Sequence, residues 1–103
     1  MIIYNVTVVV DYEVVNDWLD WMKRVHIPDV MATGKFESYQ VLKVNGQSGD
    51  TGSSFAIQYR CANLETLNDY TLNHAPKLQQ EHSARYGEKA IGFRTILEIM
   101  EDF

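Results

Sequence analysis

The sequence has a single cysteine, two prolines, and nine Lys and Arg against fourteen Asp and Glu. Each scarcity excludes something. Cys61 has no partner for an internal disulfide, so a reducing, cytoplasmic setting is expected. The net charge of −5, without any basic cluster, argues against nucleic acid and anionic membrane surfaces, because both are held by grouped Lys and Arg. No stretch reaches the ~20 apolar residues of a membrane span, and the opening residues lack the features of a secretory leader. Neither paired Cys spacing nor an H-E-x-x-H pattern occurs, which removes the common zinc signatures. What is present is ordinary for one globular domain over residues 1–103, with 46% hydrophobic and 22% charged residues.

Hydropathy patterning divides the chain into six elements. Residues 2–10 read as a strand, and Asp11 is placed to cap the helix that follows. In that helix Val14, Trp18, Trp21, Met22 and Val25 fall at the three- and four-residue spacing of one apolar stripe. Pro28 is expected to end it, since proline cannot donate a backbone hydrogen bond and disfavours helical geometry at Ile27. Pro28 to Thr33 can form one further turn before Gly34 stops it. Residues 35–44 and 54–62 read as the second and third strands, joined by the Gly- and Ser-rich NGQSGDTGSS, whose composition predicts a mobile hairpin loop. Asn63 can cap a second helix with Leu64, Leu67, Tyr70 and Thr71 inward, kinked or restarted at Pro76. Leu78, His82 and Tyr86 continue it to Gly87, and residues 89–99 form the last strand.

The order βαββαβ predicts an α+β, ferredoxin-like fold: a four-stranded antiparallel sheet with both helices on one face. The opening MIIYNVTVVV is nevertheless apolar or β-branched on both alternating faces, as in a strand buried on both sides. The helices cover only one. The open face is therefore expected to pack on a second copy of the chain about a two-fold axis.

The opening MIIYNVTV, WLDWM followed by HIPDVMATG, the strand FAIQYRC, the later HAPKLQQEHSARYG and the closing FRTILE together resemble a small bacterial family catalogued only as a domain of unknown function, DUF4286. That family looks like part of the dimeric α/β-barrel superfamily, in which two ferredoxin-like subunits pack sheet to sheet. The resemblance implies the fold and carries no established activity.

The histidines His26, His74 and His82 are the first candidates for chemistry. His74 and His82 would sit about 12 Å apart along one helix, too far to share a metal ion. The topology places the ends of the two helices at opposite edges of the sheet, so His26 and His82 are not expected to meet, and no metal site is expected. Capping the first helix is the plain role for His26. Asn5, Thr7, Gln58 and Arg94 are polar residues within apolar strands, so they need partners: either they bridge two sheets, or they line a ligand pocket with Arg94 holding an anionic or carbonyl oxygen. His26, Thr7, Gln58 and Arg94 form the candidate ligand-binding set. Some oxygenases of the superfamily, including antibiotic-biosynthesis monooxygenases and haem-degrading enzymes, use an Asn on the first strand with an aromatic residue and a His on the second helix. The resemblance implies Asn5, Tyr70 and His82 in those catalytic roles, with Tyr in place of the usual Trp and Pro76 inside a longer interval. Haem or flavin is compatible with that reading, and the sequence requires neither. Trp18 and Trp21 are expected in the core, and Cys61 as a small buried hydrophobe.

The expected product is a cytoplasmic homodimer with a small-molecule pocket at each sheet. An interaction module whose polar residues only fix the dimer register is the competing class.

Overall fold

The strands pair in a single antiparallel sheet of order β2-β3-β1-β4, with β1 (Ile2–Asp11) and β3 (Gly52–Cys61) central and β2 (Ser38–Lys43) and β4 (Ala90–Glu98) at the edges. This is the ferredoxin-like arrangement, seen in a computed structural model that describes residues 1–46 and 52–102. The middle of the hairpin loop, for which mobility was expected, lies outside the described residues.

Period two sorts the side chains. Ile2, Tyr4, Val8 and Val10 of β1 and Phe55, Ile57, Tyr59 and Cys61 of β3 point to the helices and are buried, forming the core with Trp18, Met22, Leu67 and Leu78. Ile3, Asn5, Thr7 and Val9 point the other way. On that open face Val9, Leu42, Ile91, Phe93 and Leu97 are each 38–59% exposed.

The first helical layer departs from expectation. It consists of α1 (Val15–Trp21), a π-helical turn (Met22–His26) and α2 (Ile27–Ala32), and the backbone stays helical at both junctions. Pro28 does not end the helix. Its ring would press on the carbonyl four residues back in a regular α-helix, and the wider π turn just before it takes up the mismatch. The extra residue shifts the helical phase, so Val25 turns out to solvent at 41% exposure while Ile27 and Val30 are buried. His26 lies inside this run, not at its end, and so does not cap it. Asp11 makes no side-chain cap either, because a 3-10 turn at Tyr12–Val14 separates it from α1. Gly34, at φ 77°, supplies the left-handed stop.

The second layer is α3 (Leu64–Asn73) and α4 (Ala75–Tyr86), separated at His74, so the helix restarts before Pro76 as expected. Leu67, Tyr70, Leu78 and Tyr86 face the sheet, whereas Leu64 and Thr71 are exposed. Gly87 ends α4 at φ 54°. The two layers run antiparallel, pinned where the Tyr86 hydroxyl donates to Asp17 at 2.7 Å and Arg85 lies 5.6 Å above the Trp21 ring.

Asn63 caps α3 as the sequence predicts, its Oδ1 accepting from the Thr66 amide at 2.8 Å. Asn63→Ala should lower stability by about 1 kcal/mol in urea denaturation.

Candidate functional site

Between the helices and the inner face of β1, β3 and β4 is a cavity of about 220 Å³. Its polar groups come from six elements: Tyr4 on β1, Tyr59 on β3, Arg94 on β4, His26 in the π turn, Tyr70 on α3, and Gln79, His82 and Ser83 on α4. Arg94 pairs across from Val6, which puts both on the helix-facing side, and its Nε donates to the Tyr4 hydroxyl at 3.1 Å. It sits on the exposed edge strand, at the mouth of the cavity. Gly92, on the same face, adds no side chain to the wall.

His26 and His82 meet here, contrary to the expectation from topology, with ring centroids 5.8 Å apart. Side chains on a helix lean toward its N-terminus, so on antiparallel helices these two lean toward each other. The π turn also matters, since it turns position 26 inward in place of Val25. Trp21 stacks on His26 at 5.2 Å and also contacts His82 at 5.9 Å. Trp18, fully buried, donates its indole N–H to His82 Nε2 at 2.9 Å. A neutral His82 therefore carries its own proton on Nδ1.

Burial holds both imidazoles in the neutral form. It lowers the His82 pKa, with the Arg94 charge adding to the effect. For His26 burial is again the main cause, followed by His82; Asp29 opposes and Arg94 assists, and the pKa falls to about 4. The phenols of Tyr70 and Tyr59 are pushed above their ordinary range, first by burial and then by neighbouring tyrosines. Among the described residues no carboxylate lines the cavity, so near neutral pH it presents one guanidinium, neutral imidazoles and neutral phenols beside the side chains of Gln79 and Ser83. A neutral imidazole can accept a proton, and the cation can stabilise the negative charge left behind.

Asn5, Thr7 and Gln58 are elsewhere. They lie on the open face in a hydrogen-bonded ladder: Gln40 Nε2 donates to Gln58 Oε1 at 2.8 Å, Gln58 Nε2 to Asn5 Oδ1 at 3.2 Å, and Asn5 Nδ2 to Thr7 Oγ1 at 3.0 Å. The sheet thus separates Asn5 from Tyr70 and His82, and the oxygenase-like trio does not converge within the chain. Of the ligand-binding candidates, Arg94 and His26 share the cavity, while Gln58 and Thr7 do not. Sequence reasoning missed Tyr4 as the partner of Arg94, because alternation groups Tyr4 with Val6 and Val8 and only packing decides which face of β1 meets the helices. It also missed the hydrogen bond from Trp18 to His82, for which no local signal exists.

Among the described residues, no group of three or more His, Cys, Asp or Glu converges to hold a metal ion. Haem is a poor fit. An apolar cavity of about 150 Å³ holds one benzene ring, and a tetrapyrrole several times that size exceeds this one; His82 Nε2 is also already taken by Trp18.

Residues 1–100 match the family described as Domain of unknown function (DUF4286). The chain belongs to this family. No functionally curated protein matches it. Among solved structures, the DUF4286 chain is similar to an ethyl tert-butyl ether d (EthD) family protein from Bacillus halodurans, with TM-score 0.67, 14% identity, and 97% of this chain and 100% of that one covered. It is also similar to a variant of MhuD with two manganese protoporphyrin IX molecules bound per active site, with TM-score 0.64, 14% identity, and 98% and 97% covered. A dimeric ferredoxin-like protein from an uncultured marine organism gives TM-score 0.59 at 10% identity, with 99% and 97% covered. These likenesses support the ferredoxin-like fold and leave the site to be read from its own residues.

The depressed pKa of His26 gives the DUF4286 chain a defined pH response. Below pH about 6.5 the unfolded chain protonates this histidine and the native state does not, so stability falls with pH until the folded pKa near 4 is reached. Allowing for partial exposure, His26 should contribute roughly 2 kcal/mol to that loss. Urea titrations at pH 7.5 and 4.5 on wild type and His26→Gln would show it as a smaller loss in the variant.

Proposed function

We propose that this protein is a homodimer that binds a compact organic molecule bearing one anionic or carbonyl oxygen, in the cavity between its sheet and helices. The observation that carries the reading is the charge at the mouth: among the described residues Arg94 is the one cation lining the cavity, and no carboxylate lines it. Arg94 receives the oxygen, assisted by the Tyr4 hydroxyl to which it is bonded. Tyr70 and the imidazoles of His26 and His82 form walls suited to a flat, unsaturated body. At about 220 Å³ the space favours one or two rings.

The dimer forms through the open face. Ile91 and Phe93, 58% and 59% exposed, head an apolar patch of a kind that soluble monomers seldom leave bare. The amide ladder of Gln40, Gln58, Asn5 and Thr7 can be buried there at low cost, because its members already satisfy one another. This gives Asn5, Thr7 and Gln58 a register role in place of a ligand-binding one. The dimeric state of the marine ferredoxin-like protein supports the arrangement. The buried free thiol of Cys61, directed to the Asn63 carbonyl, suits a cytoplasmic setting.

Benzoate is the simplest probe of the cavity. It should raise the melting temperature of the wild type, since a ligand of the native state stabilises it. Arg94→Met should weaken its binding by about tenfold or more through loss of a charge-assisted hydrogen bond, without unfolding, as Arg94 is exposed. Equal binding by wild type and variant, or no binding by either, would remove the reading. For the dimer, light scattering at micromolar concentration should find two chains in wild type and one in Phe93→Asp.

A further inference from the structure

A second recess lies outside the cavity just described. It has a volume of about 280 Å³ and runs between α1 and the edge strand β2, with Leu19, Met22, Ile27, Val41 and Ile57 among its mostly apolar walls and Lys23 as the one charged residue among those that line it. The helix-facing side of β2 is bare here: Tyr39 and Val41 are 46% and 45% exposed. Two of the walls are shared. Met22 and Ile57 line both the groove and the cavity that holds Arg94 and the imidazoles. Trp18 lines the groove and bonds His82, which lines the cavity.

The shared walls differ in how readily they can move. Ile57 is β-branched and only 1% exposed in a central strand, so it is a fixed partition. Met22 is unbranched, has three rotatable side-chain bonds, and stands at the start of the π turn, where the helix is wider. A rotamer change at Met22 is therefore the low-cost way to join a polar cavity to an apolar groove.

We propose that the groove is the second half of the binding site, that it receives a hydrocarbon tail of the ligand whose oxygen is held at Arg94, and that Met22 is the specificity-determining partition between the two. The ligand class is thus an amphiphile: one anionic or carbonyl oxygen at one end, an unsaturated body, and an apolar substituent at the other. This rests on the reading of Arg94 as the oxygen site.

Isothermal titration with benzoate, 4-methylbenzoate, 4-butylbenzoate and 4-hexylbenzoate tests it. Affinity should rise by about threefold to fourfold for each methylene that reaches the groove. Val41→Glu places a charge at the groove and should flatten that rise while leaving 4-methylbenzoate within about twofold. Met22→Ala opens the partition and should favour 4-hexylbenzoate over 4-methylbenzoate more strongly than the wild type does. If short and long benzoates bind alike, or if Val41→Glu weakens all of them equally, the groove takes no part and the inference falls while the Arg94 reading stands. If no benzoate binds, the Arg94 reading and the inference fall together. If Val41→Glu splits the dimer and spares the chain-length dependence, the groove is a contact between copies, and the inference is likewise overturned.

Discussion

Everything in this molecule depends on β1 having two distinct faces, because a strand can turn each side chain only to one side of the sheet or the other. Tyr4, Val6 and Val8 face the helices, and Asn5, Thr7 and Val9 face away. The same alternation on β4 sends Arg94 to the helix side and Phe93 to the other. The sheet thereby separates two kinds of polar group. One is a closed ladder of amides, suited to burial against another protein surface, and the other is a guanidinium with imidazoles around a cavity. A shift of one residue in the register of β4 would exchange Arg94 with Phe93 and destroy both arrangements.

The helical layers turn this sheet into a site through one irregularity. A regular α-helix would direct Val25 inward and close the space with hydrocarbon. The π turn instead aims His26 at His82, and burial then keeps both rings uncharged beside Arg94. Trp18 sets the tautomer of His82 from behind, with its indole itself fully buried in the core. The fold holds the polar groups of the cavity from six different elements, so their spacing is tied to the packing of the whole domain and not to any loop.

The family is described only as a domain of unknown function, and the structural neighbours range from an EthD family protein to one with manganese protoporphyrin IX bound, which shows how weakly this fold constrains chemistry. The chain's own cavity has, among the described residues, one cation at its mouth, aromatic and imidazole walls, and a volume of about 220 Å³. The two faces meet in β1 and β4, which supply residues to both. The exposed apolar face and the cavity wall are therefore two sides of the same strands.

Element order, the two-faced alternation of β1, the Asn63 cap and the stops at Gly34 and Gly87 were all legible in the sequence, because each depends on residues close together in the chain. The excess of apolar surface on the strands was legible for the same reason. Pro28 misled, since its local preference to end a helix was outweighed by the burial of Ile27 and Val30 beyond it. Only the tertiary structure decided that His26 meets His82, that Tyr4 holds Arg94, and that Asn5 is cut off from Tyr70. Those outcomes depend on helical phase after Met22, on strand register, and on how two antiparallel helices lean, and each is settled by packing between distant segments.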